Sequence, residues 1–413
     1  MQSHEFFDEL EIQNPEAREQ RLFAELIPQL QNAQRHAPAY TKMLEGVSAG
    51  DITNRAALAQ LPITRKSALI ELQKQFPPFG GLAAIATQRA RRIFSSPGPI
   101  YEPETRRVDY WRMARALFAA GFRRGEIVHN CLSYHLTPGG WIFDDAAQAL
   151  DCAVIPAGVG QTELQVRCIS DVRPTAYMGT PSFLKILLAK AQELGVDVSS
   201  LKKAAVSGEA LPPSLRKEIN ALGISIYQSY ATADLGLIAY ESPAQEGLII
   251  DEGVIVEIVR VGTGDPVAEG EVGEVVVTTL NPDYPLIRFA TGDLSAVLAG
   301  HSPCGRSNMR IKGWMGRADQ TTKVKGMFVH PEQVAEVVKR HPEMRRGRLM
   351  VEREHENDVM TLHCEVSAPS ETLAAAIQAS LRDICKLRGA VKFIAVGSLP
   401  NDGKVIEDIR KYE

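Results

Sequence analysis

The chain has 413 residues, 45% hydrophobic and 23% charged, a composition that excludes a disordered or membrane-spanning protein and exceeds what one core usually holds. A large domain and at least one smaller one are expected. Lys and Arg number 46 against 50 Asp and Glu, a near balance that gives no electrostatic case for nucleic acid as a partner.

The first residues, MQSHEFFDELEIQNPEAREQ, are acidic and polar and lack the basic start and apolar run of a signal peptide. No apolar run reaches membrane-spanning length, so no membrane partner is expected. Six cysteines, Cys131, Cys152, Cys168, Cys304, Cys364 and Cys385, are scattered without a CxxC pair and read as core thiols. A cytoplasmic protein is the expectation.

From Arg18 to Ala39, residues Leu22, Leu26, Ile27 and Leu30 share one helical face, and another helix is expected near Arg65 to Gln75. After the Phe76 to Gly81 turn the pattern predicts a strand at Ile127–Leu132, a helix at Trp141–Ala149 and a strand at Ala153–Pro156. Tyr177 and Met178 precede a Gly179-Thr180-Pro181 turn, and Ser182 is read as the cap of a helix with the apolar face Phe183, Leu184, Leu187, Leu188 and Ala191, ended by Gly195. Strands Ala204–Ser207 and Ser225–Tyr230 follow. This alternation predicts an α/β fold whose ligands sit at the loops after its strands.

Near Gly247 the character changes, and Val and Ile alternate with charged residues from Gly253 to Leu280, as in β-hairpins. Past Asp319 the order is helix Pro331–Lys339, two strands about the Glu356-Asn357-Asp358 turn, helix Ser370–Arg388 and strand Val391–Val396. The expected organisation is a large α/β domain over 1–318, with a β subdomain at about 247–300, and a small α+β domain over 319–413.

The most informative string is Tyr284-Pro-Leu-Ile-Arg-Phe-Ala-Thr-Gly-Asp-Leu294, in which an apolar strand delivers Asp293 at a Gly292 turn. Its carboxylate could accept two hydroxyls or merely cap the turn. Gly316-Arg317-Ala318-Asp319 falls where the domain character changes, and Lys404 lies in a Pro400-Asn-Asp-Gly-Lys404 turn. Three dispersed polar sites suggest one divided active site.

These strings resemble the signature motifs of the phenylacetate-CoA ligase family of acyl-adenylate-forming enzymes. The resemblance spans nearly the whole chain, through Ala37-Pro-Ala-Tyr40, Leu61-Pro-Ile-Thr-Arg-Lys66, Asn130-Cys-Leu-Ser-Tyr134-His-Leu-Thr-Pro-Gly139-Gly140, Pro156-Ala-Gly-Val-Gly160-Gln-Thr162 and Gly179-Thr-Pro-Ser182, all in family order. It implies the adenylate-forming fold and a two-step reaction: a small carboxylic acid attacks the α-phosphate of ATP, and coenzyme A then displaces AMP from the acyl-adenylate. An aromatic acid such as phenylacetate is the implied substrate. Lys404 is implied as the catalytic cation, carried by a mobile C-terminal domain with its hinge at Asp319. Asp293 matches the residue that holds the ribose hydroxyls, and Arg317 a residue that also approaches the nucleotide.

By the same resemblance, Gly208-Glu209-Ala210 and Tyr230-Ala231-Thr232-Ala233-Asp234 match the two loops that sandwich the adenine, with Asp234 at the Mg²⁺ position. Tyr134, Gly139 and Gly140 match positions lining an aromatic-acid site, although Tyr134 reads equally well as a core aromatic. Relatives suggest a homodimer.

The sequence departs from the family pattern at the phosphate-binding loop, here Ser95-Ser-Pro-Gly-Pro-Ile-Tyr-Glu-Pro103. Ser95 and Ser96 remain as donors, but two prolines remove two N–H groups and Glu102 places a negative charge near the usual Lys. Ala233 also replaces a hydroxyl residue. These changes raise an alternative, a non-ligating homologue that binds acyl-CoA or an adenine nucleotide; a thioesterase or CoA transferase finds no positive motif. Some relatives carry a structural zinc, whereas Ser242, Ile249 and Ser302 stand at three of the ligand positions and leave Cys304 alone, so no zinc is expected.

Overall fold

The computed structural model describes residues 5–96, 99–318, 320–324, 327–354 and 357–410. The chain forms two compact units, one of Met1–Val256, Val277–Phe289 and Leu298–Trp314, the other of Glu257–Val276, Ala290–Val297 and Met315–Glu413. The chain passes from one unit to the other within strands Val254–Val259, Gly273–Thr279 and Phe289–Ser295.

The first unit is built on a nine-stranded sheet in the order Val297–Leu298, Arg310–Ile311, Leu248–Ile250, Gly236–Tyr240, Ser225–Thr232, Lys203–Val206, Ala176–Gly179, Ile127–Asn130 and Ala153–Pro156. The five strands from Ser225–Thr232 to Ala153–Pro156 are mutually parallel, in registers such as Asn130 opposite Met178 and Val206 opposite Gln228. Gly236–Tyr240 and Leu248–Ile250 continue the sheet antiparallel. Parallel strands need crossovers, and helices Gly139–Ala149, Thr162–Val172, Pro181–Leu194 and Pro213–Ala221 supply them. The C-terminal ends of the parallel strands therefore share one edge, which gathers the loops beginning at Cys131, Ala157, Thr180, Ser207 and Ala233.

Helix Pro181–Leu194 shows how the sequence sets such an element. Thr180 Oγ1 accepts from the Phe183 N–H at 3.3 Å, Pro181 fills the first turn, and Gly195 closes the end. The cap is thus Thr180 and not Ser182, because a proline suits the first helical position and the residue before it must be extended. Leu184, Leu187 and Ala191 are buried with Val166, Tyr177 and Val206, each leucine contributing roughly 1.5–3 kcal/mol.

The second unit holds a four-stranded sheet in the order Ala390–Ile394, Asn357–Val366, Met344–Glu354 and Ile406–Asp408, with an antiparallel central pair and parallel outer pairs. Helices Pro331–Arg340 and Glu371–Cys385 bury Val334, Val337, Ile377 and Leu381 with Leu349 and Leu362 of the sheet. The second helix is capped by Ser370, which accepts from the Leu373 N–H, and stops at Cys385 because Lys386 turns left-handed. Among the described residues no helix is long and apolar enough to cross a membrane.

Candidate functional site

Two loops at the shared strand edge carry the residues expected around an adenine. Ser207 Oγ donates to the Ser229 carbonyl at 2.9 Å and ties the first loop to the second. Gly208, Glu209 and Ala210 are exposed, and Tyr230, Ala231 and Thr232 are half-buried where Ser225–Thr232 ends and turns back into Gly236–Tyr240. Thr232 Oγ1 accepts from the Leu235 N–H at 3.2 Å, which tightens the turn that presents Asp234.

Asp234 is buried, and its Oδ2 accepts from Lys66 Nζ at 2.5 Å. Glu102, also buried, receives the Ser96 hydroxyl on Oε1 at 3.0 Å. Glu102 Oε2 and Asp234 Oδ1 have no donor, since two carboxylate oxygens can share a hydrogen bond only if one carries a proton. Burial first, and then the Asp234 charge, push the Glu102 carboxyl up. The free Asp234 oxygen is a hard donor of the kind Mg²⁺ takes, so the residue present suits that ion.

The phosphate-loop serines behave unlike a cradle. Ser96 is buried and turned inward, donating to Glu102 and to the Ile100 carbonyl, because it stands opposite Ile100 in the hairpin Arg92–Ser96 and Ile100–Glu104. Ser95 pairs with Tyr101, and its N–H donates to the Leu136 carbonyl at 2.9 Å. Pro97 and Gly98 lie outside the described residues, as does the expected hinge Asp319.

At the strand end Ile127–Asn130, Tyr134 Oη donates to Asp144 Oδ2 at 2.7 Å and accepts from Asn130 Nδ2 at 2.8 Å, and its ring meets Trp141 edge-on at 5.1 Å. The small residue at Gly140 makes room for this tyrosine: a Cβ there would stand 2.9 Å from Tyr134 Cγ and 2.7 Å from the Ser133 carbonyl. Gly139 meets nothing closer than Leu132 at 3.9 Å. Tyr134 is thus pinned by the protein's own groups.

In the second unit, Asp293 lies within the strand Phe289–Ser295 and not at a turn. Its Oδ1 accepts from Arg317 Nη1 at 2.7 Å, and the two backbones form an isolated antiparallel bridge. Gly292 has φ +75°, which favours glycine, and a Cβ there would lie 2.7 Å from Arg317 Nη2, so any larger residue would push the guanidinium aside. Leu294, Ala318 and Val405, neighbours of Asp293, Arg317 and Lys404, pack together with Val261 and Val272. One small apolar cluster therefore carries all three polar residues named from the sequence.

The Lys404 turn is tied down by a residue that sequence reasoning missed. Arg348, 3% exposed, donates to Glu407 Oε2 at 2.9 Å, to the Lys404 carbonyl at 3.2 Å and to Asp402. Gln320 adds bonds to the Gly403 carbonyl and to the Val405 and Ile406 N–H groups. Lys404 Nζ itself is half-exposed and pairs with Glu407 Oε1 at 3.0 Å, which holds the Glu407 carboxyl below its ordinary range. Lys66 was also missed as a site residue, though its string was visible; nothing local to it signals a partner 168 residues away.

Ser242 and Ser302 converge on Cys304, with Ser302 Oγ 3.0 Å from the sulfur, and Ile249 packs in the same core. Burial pushes the Cys304 thiol up, but hydrogen bonds from Ser242, Ser302 and Arg306 outweigh it and leave the thiol below its usual value.

Comparison with known proteins decides the family. The AMP-binding enzyme model matches residues 150–281, which contain both adenine-type loops and Asp234. The phenylacetate-coenzyme A ligase of Thermus thermophilus is 32% identical over 352 residues, covering 80% of this chain and 78% of its own. The chain belongs to the phenylacetate-coenzyme A ligase family. Its relative of the same name in Escherichia coli is 30% identical over 366 residues, covering 83% of this chain and 81% of that one. A solved structure of 2-hydroxyisobutyryl-CoA ligase in complex with 2-HIB-AMP and CoA, 23% identical, superposes with a TM-score of 0.72 over 99% of this chain and 93% of that one, which shows the same fold. As a family member the chain is an AMP-forming acid–thiol ligase that uses ATP and coenzyme A to turn a carboxylic acid into its acyl-CoA.

Proposed function

We propose that the chain activates an aromatic carboxylic acid, phenylacetate or a close analogue, through an enzyme-bound acyl-adenylate. The observation that carries this reading is the 32% identity to a phenylacetate-coenzyme A ligase over 80% of the chain. The acid's carboxylate and the triphosphate repel one another, so adenylation needs cations aimed at the α-phosphate. Lys404 supplies one, and Asp234 would hold a magnesium ion that supplies another when bound. Asp293 and Arg317 hold the ribose, Gly208–Ala210 and Tyr230–Thr232 flank the adenine, and 319–413 moves as a small domain about Asp319 between the two half-reactions. The tight Asp293–Arg317 pair beside the Lys404 turn supports grouping Asp293, Arg317 and Lys404 in one site.

The non-ligating alternative is not favoured by this kinship. The reading extends to a cytoplasmic enzyme, in keeping with six free cysteines, and to a homodimer, which sedimentation equilibrium decides. The direct test is to incubate the protein with ATP, Mg²⁺, coenzyme A and a panel of aryl and short-chain acids. AMP and acyl-CoA formed fastest from arylacetic acids support it. AMP formed only from short aliphatic acids would reject the aromatic assignment, and no AMP from any acid would reject the ligase reading.

A further inference from the structure

The loop that should bind phosphate in this chain ends in a buried acid, and that acid does not stand alone. Glu102 lies on Ile100–Glu104, the strand leaving the proline-containing loop, and faces Asp234 with Oε2 and Oδ1 both lacking a donor. The Tyr284 hydroxyl, fully buried and also without a partner, is close enough to feel both carboxylates. Ser96 Oγ completes the group at 3.0 Å from Glu102. The cluster thus offers oxygen donors alone, two of them carboxylates, which is the donor set of Mg²⁺ and Mn²⁺.

Among the described residues the cation bonded to the cluster is Lys66, on the far oxygen of Asp234, Oδ2. Its side chain is 28% exposed, whereas the Asp234 side chain is fully buried, so Lys66 marks the solvent side of the cluster. Two adjacent buried carboxylates hold either a proton or a cation between them, and an ion bound to both would release that proton to solvent. A divalent ion bound to both would neutralise them and leave the Lys66 ammonium without a counter-charge.

We propose that Glu102 is a second carboxylate ligand of the divalent cation, joining Asp234 through the two donorless oxygens, and that the ion displaces Lys66, whose ammonium then serves a phosphate oxygen in place of the lysine absent from the loop. This rests on the ligase reading and on Asp234 as a metal ligand, and it adds the residue that sets this loop apart. The negative charge that makes the loop look unfit for a triphosphate thereby becomes the means of holding a stronger cation beside it.

The test is a Mn²⁺ titration of nucleotide-free protein, with free Mn²⁺ read by electron paramagnetic resonance. One ion per chain is expected, weakened more than tenfold in Glu102→Gln and in Asp234→Asn and tightened several-fold in Lys66→Met, where the competing ammonium is gone. Should Glu102→Gln fail to fold by circular dichroism, Lys66→Met decides: tighter binding upholds the proposal and unchanged binding overturns it. No Mn²⁺ bound to the wild type, or equal affinity in wild type and folded Glu102→Gln, also overturns it. An active ligase whose Mn²⁺ binding ignores Glu102 sinks this inference alone, whereas Glu102-dependent binding in a protein that forms no AMP upholds it and sinks the ligase reading.

Discussion

Arg317 Nη1 lies 2.7 Å from Asp293 Oδ1, and the same two residues are bridged through their backbones. The pair is held from below by glycine, since Gly292 leaves the space that the guanidinium fills. Arg317 is half-exposed, so its contribution to stability is small, on the order of 0–1 kcal/mol. Arg317→Ala is expected to raise KM for ATP about tenfold with little change in Tm. Gly292→Ala should do the same by pushing the guanidinium aside, with a further cost of about 1–2 kcal/mol from its left-handed backbone. Unchanged KM for ATP in both variants would remove the pair from the nucleotide site.

Lys404→Ala separates chemistry from folding. The side chain is half-exposed and pairs with Glu407, so its loss should change stability by roughly 0.5 kcal/mol or less. The rate of adenylation, followed by pyrophosphate release in a single turnover, is expected to fall by about 100-fold or more. Thioester formation from separately prepared acyl-adenylate should be nearly untouched. If adenylation keeps its rate, Lys404 is not the cation of the first step.

Arg348 is expected to act through Lys404. Arg348→Met leaves Asp402 and Glu407 without their forked partner, and because both carboxylates are partly exposed the cost is on the order of 1–3 kcal/mol. Adenylation should slow while ATP affinity, measured by calorimetry, stays the same, and amide exchange at 401–405 should quicken. Arg348→Lys keeps the charge but not the forked geometry, so partial recovery is expected. Equal exchange rates in wild type and Arg348→Met would show that the turn needs no such tether.

Asp109 gives the protein a pH dependence unrelated to catalysis. Its carboxyl is pushed up to about 7, by burial first and also by the Asp251 charge, against an ordinary 3.8. The folded state therefore holds a proton that the unfolded state has lost between those values, and stability falls as pH rises from about 4 to about 7, then levels off. Asp109→Asn keeps an acceptor for the Ala114 N–H and removes this loss. The variant should be more stable than wild type at pH 8 by on the order of 2–4 kcal/mol, with the advantage shrinking toward pH 4. Parallel Tm curves for the two proteins across that range would exclude it.

What the sequence made legible was whatever depends on neighbours. Strand Ala153–Pro156 and the apolar face Leu184, Leu187 and Ala191 stand where period and turn chemistry put them. Asp293 was located but given the wrong local setting, because a glycine in a strand reads like a turn until the arginine above it is seen. Ser96 was read as a donor of the phosphate-binding loop, although its place opposite Ile100 in the hairpin turns the hydroxyl toward Glu102. Lys66 at a helical turn, Glu102 on the strand Ile100–Glu104 and Asp234 in the turn after Ser225–Thr232 meet only through the tertiary fold, which no local pattern encodes. Arg348 was invisible for the same reason: a charged residue in a strand looks like a solvated one until four acceptors are found around it.

The Arg348 tether also limits how Lys404 can move. Since its turn is bonded to the strand Met344–Glu354 and, through Gln320, to the start of the second unit's long C-terminal segment, the loop cannot fray to retract its ammonium. On the proposed reading, in which Lys404 serves a phosphate and then leaves it, the sheet and its two helices would have to travel with it as one piece, a lever stroke set by a stiff body and not by the looseness of a loop.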